Sequence, residues 1–550
     1  MASPPAAAPA WSPSPPDRRR KTTSPTTSCA ANGATGPTPS GSTAPASRPS
    51  NAPPGSPPPT TPWPSPSPNT TPPTAAATSS ATPPAPRPTE PASTRSSATA
   101  TTTSPAPTPS NASRASTPPP EILALETRAA ARAVAGLDNN IGTISERHIA
   151  DALAARPHLA DEQRHLVEHT ARSGDAITVV VGKAGTGKTT ALDALRDAYE
   201  RSGHRVIGAA LSARAAAELD SGAGIASQTI HRTLHQLTTG DLGLDRRTVL
   251  VIDEAGMVGT RQLARLIDEA RRADAKLVLV GDPRQLPEVD AGGTFSAIAR
   301  RIEPLQLSEN RRQHDPNERA ALDALRANDV DNALANLHRS GRLTIGDNAD
   351  TVRAGLVADW HTAAASGQHA VMIAAHRSDV TDLNQRARRH LIADGQLGPA
   401  IWRNDSTEFS IGDRVVAHRN RYDLGLLNGY RGSVTDATPD SLTVRLDNGK
   451  TVDVPNQYIG DGHLSHGYAV TVHKAQGMTC DAAFLLGDDG LFNELGYTGL
   501  SRGRHENHLY AVASRDELGR AEADPLANVR RSLGVSRAKS AAIDIGGPSL

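Results

Sequence analysis

The chain has 550 residues, no net formal charge and two cysteines, Cys29 and Cys480. Two cysteines this far apart exclude a disulfide framework and a cysteine zinc site, and the balanced charge gives no general sign of a nucleic-acid partner. Neither an apolar run of about 18 residues nor a signal-peptide pattern occurs. We therefore expect a cytoplasmic protein without membrane insertion.

Residues 1–120 form a tail rich in Pro, Ser, Thr and Ala. The tail contains 33 of the 43 prolines and few branched apolar residues, so it cannot bury enough surface to offset its backbone entropy and is predicted to be disordered. It carries eight Lys/Arg and two Asp/Glu, against 50 and 56 in the remainder. A nucleic-acid contact would therefore have to come from a local groove.

The region after the tail changes from helical to mixed α/β periodicity. Residues 121–174 have apolar side chains at helical spacing and are predicted to form a helical lead-in. Residues 175–300 alternate short apolar runs with amphipathic segments, for example 177–181 followed by 189–201. This alternation is typical of βαβ units with a parallel sheet covered on both faces.

A second α/β region is predicted at 301–405 and 459–518, interrupted by residues 406–458. The interruption contains short β-type runs separated by the turn pairs Asn428-Gly429, Pro439-Asp440 and Asn448-Gly449. These turns indicate a small antiparallel barrel inserted into the second α/β unit. Residues 519–550 are predicted to be a weakly structured C-terminal tail.

One glycine-rich segment follows an apolar strand and opens a helix: Gly182-Lys183-Ala184-Gly185-Thr186-Gly187-Lys188-Thr189-Thr190. Glycines let backbone N–H groups point at a triphosphate, Lys188 can reach the β and γ phosphates, and the Thr189 hydroxyl can bind magnesium. The segment is therefore predicted to bind ATP with Mg²⁺. A glycine-rich turn without a ligand is the alternative, and the strand–loop–helix context disfavours it.

Polar residues also follow two other predicted strands. Asp253 and Glu254 come after the run 249–252, where the aspartate can hold Mg²⁺ and the glutamate can polarise the attacking water. Gln285 follows the next run and could hydrogen-bond the γ-phosphate or its water. Alone, such an acidic pair is more typical of a helix cap, but the preceding phosphate loop favours the catalytic interpretation. The glutamine alone fits a proline-bounded turn equally well.

These segments resemble motifs I, II and III of superfamily one helicases of the RecD-like branch. Residues 307–313 resemble motif IV, residues 468–479 motif V and residues 497–504 motif VI, in the same order. The resemblance covers about residues 155–515. It implies two RecA-like P-loop domains with parallel sheets, an SH3-like β-barrel insertion, and an ATP-dependent helicase or translocase that moves 5′ to 3′ on DNA.

The resemblance also implies roles for single residues. Gln163 would read adenine, while Arg312 and Arg502 would approach the γ-phosphate from the second RecA-like domain. The residues implied to hold the backbone of single-stranded DNA are Thr229, His231, Thr471, His473 and Lys474. Because the whole chain has few aromatic residues for base stacking, backbone contacts and strong salt dependence are expected.

Within this branch the closest resemblance is to the helicase region of TraA/TrwC-type conjugative relaxases, which implies the conjugative transfer machinery as a partner. Those proteins usually carry an N-terminal nickase with a tyrosine and a histidine metal site. Residues 1–120 contain neither tyrosine nor histidine, so nicking chemistry cannot reside there. Three alternatives remain: a RecD-like repair helicase, a P-loop ATPase that remodels protein, and a truncated relaxase fragment that only binds DNA or a partner.

Overall fold

The computed structural model describes residues 119–288, 290–404, 407–515 and 519–546. Apart from its last two positions, the tail predicted to be disordered lies outside the described residues. Within the described ranges, no helix is long and apolar enough to cross a membrane.

Three helices precede the first sheet: α1 (Pro120–Val134), α2 (Glu146–Ala154) and α3 (Asp161–Arg172). α1 begins with Pro120, at a position where the missing N–H costs no helical hydrogen bond. Ala129 and Ala133 of α1 pack on one face of the sheet, whereas Ile149 and Leu166 pack on the other face. The predicted helical lead-in therefore covers both sides of the first sheet.

The first sheet has six parallel strands in the order β3-β2-β4-β5-β1-β6. Its central strands are buried along their whole length, which explains their continuous apolar sequences. The prediction of a parallel sheet with helices on both faces is confirmed. Its elements are β1 (Ile177–Gly182), α4 (Lys188–Arg201), β2 (Arg205–Ala210), α5 (Ala213–Ala223), β3 (Ser227–Thr229), α6 (Ile230–Thr239), β4 (Thr248–Ile252), α7 (Thr260–Arg272), β5 (Lys276–Gly281), α8 (Thr294–Ala299) and β6 (Leu305–Leu307).

Strand β6 corrects the predicted start of the second α/β region. The sequence placed that start at residue 301, but Leu305 and Leu307 pair in parallel with β1. β6 has only three residues, too few to give a strand pattern in the sequence. Its pairing brings the loop 308–313 next to the end of β1.

The second α/β region begins with two helices and continues through two strand–helix units. Its first elements are α9 (Pro316–Arg326), α10 (Val330–Arg339), β7 (Leu343–Gly346), α11 (Ala349–Ala365), β8 (Ala370–Ala374) and α12 (Arg377–Ala393).

An antiparallel sheet follows α12, with strand order β14-β13-β12-β11-β15 and a separate β9–β10 hairpin. It has its own core, which includes Val415, Val434 and Leu442. The sequence ended this insertion at residue 458, but β15 pairs with β11 and extends it to residue 466. The elements are β9 (Ala400–Arg403), β10 (Glu408–Ser410), β11 (Arg414–Ala417), β12 (Arg431–Ala437), β13 (Ser441–Leu446), β14 (Thr451–Pro455), α13 (Asn456–Gly460) and β15 (Leu464–His466).

A buried ionic network fixes the antiparallel sheet to α12. Arg388 donates to both Asp413 oxygens at 3.2 Å and to Glu408 at 2.6 Å, and Tyr468 donates to Asp413 at 2.6 Å. Burial opposes ionisation of Asp413, but hydrogen bonds from His466 and Tyr468 outweigh it and keep the Asp413 pKa below its usual value. Because breaking a buried pair leaves an uncompensated charge, this network holds the sheet firmly in place.

The second parallel sheet has the order β16-β8-β17-β18-β7. β16 and β17 lie after the antiparallel sheet in the chain, whereas β7 and β8 lie before it, so the antiparallel sheet interrupts the second α/β unit. The remaining elements are β16 (Ala469–Thr471), α14 (Val472–Ala475), β17 (Cys480–Gly487), α15 (Asn493–Leu500) and β18 (Gly503–Val512).

The C-terminal residues are folded, which corrects the prediction of weak structure after residue 518. Val529 and Leu533 of α16 (Ala527–Gly534) enter the core of the second sheet. Ala541 directly precedes α17 (Ala542–Gly546) and Ile543 lies within it; both pack on α1 and α8 beside the first sheet. We call residues 527–544 the C-terminal strap. The strap has too few apolar side chains to show a helical period in the sequence. Its helices are stabilised by packing on distant parts of the chain rather than by their own helix propensity.

Hydrogen bonds hold the connection between the two strap helices on both sides. The backbone N–H groups of Arg537 and Ala538 donate to the Glu494 carboxylate of the second region, at 3.0 and 3.2 Å. The Ile543 N–H donates at 3.2 Å to Glu126 on α1. The C-terminal strap therefore joins the two parallel-sheet regions.

Candidate nucleotide and nucleic-acid site

The glycine loop between β1 and α4 is shaped by neighbouring segments. Gly185 and Gly187 have φ values of +80° and +73°, a backbone conformation that favours glycine. A Cβ atom at Gly187 would lie 2.5 Å from Gln163 Nε2, and one at Gly185 would lie 2.6 Å from Arg312 Cβ. The loop is thus enclosed by α3 on one side and by residues 308–313 on the other.

A cavity of about 170 Å³ lies over this loop. It brings together residues from three strand ends of the first sheet and Arg502 from the end of α15. Sequence-predicted residues that line it are Ala184, Gly185, Thr186, Gly187, Lys188, Thr189, Asp253, Glu254, Gln285, Arg312 and Arg502. Gln163 and Thr190 line an adjoining cavity with Thr189 and Arg312.

Lys188 is the first residue of α4, and its side chain extends back into the glycine loop. Its ammonium donates to the carbonyl oxygens of Gly182 and Lys183, at 2.8 and 3.2 Å. Burial lowers the Lys188 pKa, and Asp282 and Asp253 oppose that effect. A desolvated cation at the base of a glycine loop favours binding of an anion.

Asp253 and Glu254 follow β4 on the other side of the cavity. The Glu254 N–H donates to Asp253 at 2.9 Å, and Glu254 itself has a φ of +53°. Burial raises the pKa of Asp253. Burial, followed by the nearby charges of Asp253 and Glu218, raises the Glu254 pKa to about 7. A carboxylate that titrates near neutral pH is well suited to accept a proton.

Arg312 and Arg502 are held by one residue of the second region. Arg312 donates to the Ser501 carbonyl at 2.8 Å, and Arg502 donates to the Ser501 hydroxyl. Burial, then repulsion from Arg312, lowers the Arg502 pKa to about 9. In the part of the chain that the structure describes, Arg502 Nε is buried without a hydrogen-bond partner. Because such a group is costly to leave unpaired, the donor set fits a polyphosphate, whose oxygens would accept these hydrogen bonds.

Two predicted residues have their polar ends occupied elsewhere. Gln163 donates to the carbonyls of Thr186 and Gly187, at 3.2 and 3.1 Å, so in this structure its amide supports the loop. Lys183 was predicted to contact the nucleotide, but its ammonium pairs with Asp323 of α9 at 2.7 Å. Lys183 stands at the start of the loop, where its side chain extends toward α9. Of the two loop lysines, Lys188 lines the cavity and Lys183 does not.

The sequence did not identify three residues that belong to the site: Asp282, Tyr497 and Glu218. The Tyr497 hydroxyl donates to Asp282 and accepts from the Ala184 N–H, both at 3.1 Å. Glu218 of α5 lines the cavity with Glu254. Asp282 could have been found, because it follows the end of β5 as Asp253 follows β4, whereas the other two depend on contacts between distant segments.

The residues predicted to hold DNA lie in two similar segments. Thr229 is the last residue of edge strand β3 and caps α6 by accepting from the Arg232 N–H at 3.3 Å. Thr471 is the last residue of edge strand β16 and caps α14 by accepting from the Lys474 N–H at 3.3 Å. Two residues after each threonine stands an exposed histidine, His231 or His473. Each parallel sheet therefore presents one threonine-capped helix start with a histidine on its first turn.

Lys474 also meets the antiparallel sheet. Its ammonium donates to His418, which follows β11. Burial, followed by the charge of Arg377, lowers the Lys474 pKa to about 8. Burial, followed by the charge of Lys474, lowers the His418 pKa to about 4. Near neutral pH, His418 is therefore uncharged and accepts a hydrogen bond from the charged Lys474 ammonium.

A glycine loop after a buried strand, carboxylates at the next strand ends and an arginine from beside a second parallel sheet define a P-loop nucleotide-binding protein with a helicase-like α/β fold. Comparison with family models agrees with this class. Residues 158–348 match an AAA domain, and residues 466–510 match a UvrD-like helicase C-terminal domain.

Relatives of the chain come from two groups. It is 35% identical over 397 residues to a probable conjugal transfer protein TraA of Sinorhizobium fredii, covering 71% of this chain and 36% of the relative. It is 30% identical over 375 residues to an ATP-dependent RecD2 DNA helicase of Deinococcus radiodurans, covering 67% and 51%. The chain is thus related to TraA conjugal transfer proteins and RecD-type helicases, which confirms the resemblance inferred from the motifs.

The chain spans about a third of the length of the TraA relatives that it matches. Among solved structures, a Pif1 helicase from Bacteroides in complex with ADP-AlF3 and ssDNA aligns with a TM-score of 0.43 and 20% identity. That alignment covers 64% of this chain and 92% of the Pif1 chain.

Proposed function

We propose that this protein is an ATP-driven translocase or helicase that moves 5′ to 3′ along single-stranded DNA and acts in conjugative transfer. One observation carries the proposal: Arg502, beside the second parallel sheet, lines the same cavity as Lys188, Asp253 and Glu254 of the first sheet. A nucleotide site shared by two α/β regions can couple hydrolysis to their relative movement. The direction and the conjugative role are taken from the family resemblance.

In this proposal the two parallel-sheet regions are the RecA-like domains, and the antiparallel sheet is the SH3-like barrel. The first domain covers residues 175–300 with β6 added, and the second covers 301–405 and 459–518 without β6. The insertion covers 406–458 together with β15. Its buried attachment to α12 would make it move with the second domain.

In this proposal, each cavity residue has a separate role in ATP hydrolysis. Thr189 and Asp253 would hold Mg²⁺, which supplies positive charge to the phosphate oxygens. Lys188 binds the β and γ phosphates from the base of the loop, and Glu254 orients the attacking water and accepts its proton. Arg312 and Arg502 stabilise the negative charge that develops on the departing phosphoryl group.

Gln285 and Gln163 have supporting roles in the same proposal. Gln285 lies at the cavity wall, where its amide can bind the γ-phosphate or the water and report whether the bond is intact. Gln163 would read the adenine edge. For this it must exchange one of its present hydrogen bonds to the loop carbonyls, so adenine binding would change the support of the loop.

Single-stranded DNA would lie across the two threonine-capped segments. Thr229 and His231 would hold one part of the backbone, and Thr471, His473 and Lys474 another, because helix N-termini and cations favour phosphate. Closing and opening of the nucleotide cleft would change the distance between these two contacts. Alternating grip at the two contacts would then move the protein along the strand.

The test is ATP hydrolysis by the purified chain with and without oligo(dT). We expect DNA to stimulate hydrolysis about tenfold or more, a change of the same size as typical coupling free energies between two binding sites, and we expect DNA binding to weaken steeply with salt. Lys188→Ala should remove both rates. Equal rates with and without DNA would support a protein-remodelling ATPase, and no turnover would support a binding module. Unwinding of duplexes with a 5′ or a 3′ tail tests the direction.

A further inference from the structure

Arg214 of α5 contacts three parts of the chain. Its Nε donates to Glu218 at 2.8 Å, one helical turn further along α5. Its Nη1 donates to the carbonyl of Lys474 in α14 at 3.1 Å and to the carbonyl of Gly429 at 3.4 Å. One side chain of the first region therefore connects with a helix of the second region and with a turn of the antiparallel sheet.

The acceptors favour a guanidinium at this place. The Lys474 carbonyl belongs to the last turn of α14, where carbonyl groups lack partners within the helix and a cation is stabilised. The Arg214 side chain is 15% exposed and its hydrogen bonds to the two carbonyls are partly buried, whereas Glu218 is 45% exposed. A planar guanidinium has donors on several sides and can serve a carboxylate and two carbonyls together.

Glu218, the other member of the pair, reaches the nucleotide cavity. It lines the cavity with Asp253 and Glu254, and a Cβ atom at Gly477 would lie 2.8 Å from its Oε2. Gly477 follows α14 by two residues. The Glu218 carboxylate therefore lies between the hydrolytic residues and the segment that leaves the DNA-facing helix.

We propose that Arg214 and Glu218 form a positioning pair that transmits the position of α14 to the nucleotide cavity, so that DNA-stimulated hydrolysis needs Arg214 and basal hydrolysis does not. This inference rests on the proposed function, because it assigns DNA contacts to His473 and Lys474. Neither member of the pair touches the DNA or the reacting phosphate in the proposed mechanism.

The physical path is short. Phosphate groups that bind His473 and Lys474 act on a helix of four residues, and the carbonyl end of that helix is held by Arg214. A change in that hydrogen bond changes how Arg214 holds Glu218, and thus where a third carboxylate stands beside Asp253 and Glu254. The sequence gives no sign of this path, since an Arg–Glu pair four residues apart is common on helix surfaces.

The test compares Arg214→Ala with the wild-type full chain. We expect basal ATP hydrolysis to stay within about twofold and the DNA-stimulated rate to fall about fivefold or more, the lower range of measured coupling effects. Arg214→Lys keeps a charge next to Glu218, but a compact ammonium cannot reproduce the planar donor geometry of the guanidinium, and we expect an intermediate ratio. A stimulated-to-basal ratio equal to that of the wild type in Arg214→Ala overturns the inference.

Two further variants separate positioning from helix stability. Arg201→Ala removes a comparable pair within α4, Arg201 with Asp197, and should leave the ratio unchanged. The double variant Arg214→Glu with Glu218→Arg restores a pair within α5 but places a carboxylate against the Lys474 carbonyl, so stimulation should stay lost. Recovery in the double variant would show that the pair only stabilises α5. An unstimulated wild type would instead reject the proposed function itself.

Discussion

The two parallel-sheet regions share an architecture but divide the chemistry unequally. In the first, β1 leads to α4 through the glycine loop, with Gly185 and Gly187 at positive φ. In the second, β8 leads to α12 through Ala375 and His376 only. Both regions, in contrast, end an edge strand with a capping threonine. Of the two strand–helix connections, only the one in the first region is a glycine loop, whereas the proposed DNA contact is repeated in both regions.

This difference explains why neither region is sufficient for the proposed cycle. The first region holds the phosphate loop and the carboxylates, but Arg502 reaches the cavity from the second region. In the proposal, the repeated threonine-capped segments would give each region its own contact with the strand. A motor needs one place for hydrolysis and two contacts that can move relative to each other, and the proposed mechanism assigns these parts to the two regions.

The strongest test of the unequal division uses the two lysines of the glycine loop. Lys188→Ala should lower ATP hydrolysis about 10³-fold, because it removes a cation aimed at the transferred phosphate. Lys183→Ala removes an ammonium paired with Asp323 and should change the rate only a few-fold. Steady-state ATPase assays measure both effects. Equal losses in the two variants would contradict the assignment of the loop.

A second test removes the contribution of the second region. Arg502→Ala should lower kcat about 10²-fold and leave KM for ATP within a few-fold, since the guanidinium acts mainly on the transition state. Arg502→Lys should not restore the rate, because an ammonium cannot reproduce the planar donor set. A large rise in KM at unchanged kcat would show that Arg502 only binds the ground state.

The repeated threonine segments are tested by Thr229→Val and Thr471→Val. Each change removes a helix cap worth about 1 kcal/mol, and we expect each to weaken oligo(dT) binding about fivefold. The effects should add in the double variant, because the two sites lie on different sheets. Thr362→Val removes an exposed hydroxyl bonded within α11 and serves as the control. Fluorescence anisotropy measures the affinities, and an unchanged affinity in both variants would remove the paired-contact interpretation.

The smallest expected effect distinguishes the two contacts by pH. Burial lowers the Lys474 pKa to about 8, so this cation is present below pH 8 and is lost as the pH rises through that value. DNA affinity should therefore fall about threefold between pH 7 and 9, and Lys474→Arg should flatten this dependence. A flat profile for the wild type would show that Lys474 does not contact the strand.

The sequence identified the elements whose signals are local. The glycine loop, the buried strands β1, β4 and β5, and the residues after them follow from apolar runs and from the residue types that phosphate chemistry needs. Motif order then indicated that Arg312 and Arg502 belong to the same site. Arg312 and Arg502 both line the cavity. Their roles in catalysis and the roles of the DNA contacts stay predictions.

The features that the sequence missed depend on distant contacts. Strands β6 and β15 have three residues each, so only their pairing partners reveal them. Arg214 meets the carbonyl of a residue 260 positions away, and Tyr497 meets the glycine loop over a separation of 313 positions. No local pattern encodes such contacts, because they arise only when the two sheets pack together.

The C-terminal strap has a consequence for the amplitude of any domain movement. Leu533 is buried beside the second sheet and Ala541 beside the first, and the chain between them can span at most about 28 Å even when fully extended. The C-terminal strap is thus a second covalent connection of limited length between the two regions, in addition to the one between β6 and α9. The C-terminal strap therefore limits how far the two parallel-sheet regions can separate in the proposed cycle unless one of the strap helices detaches.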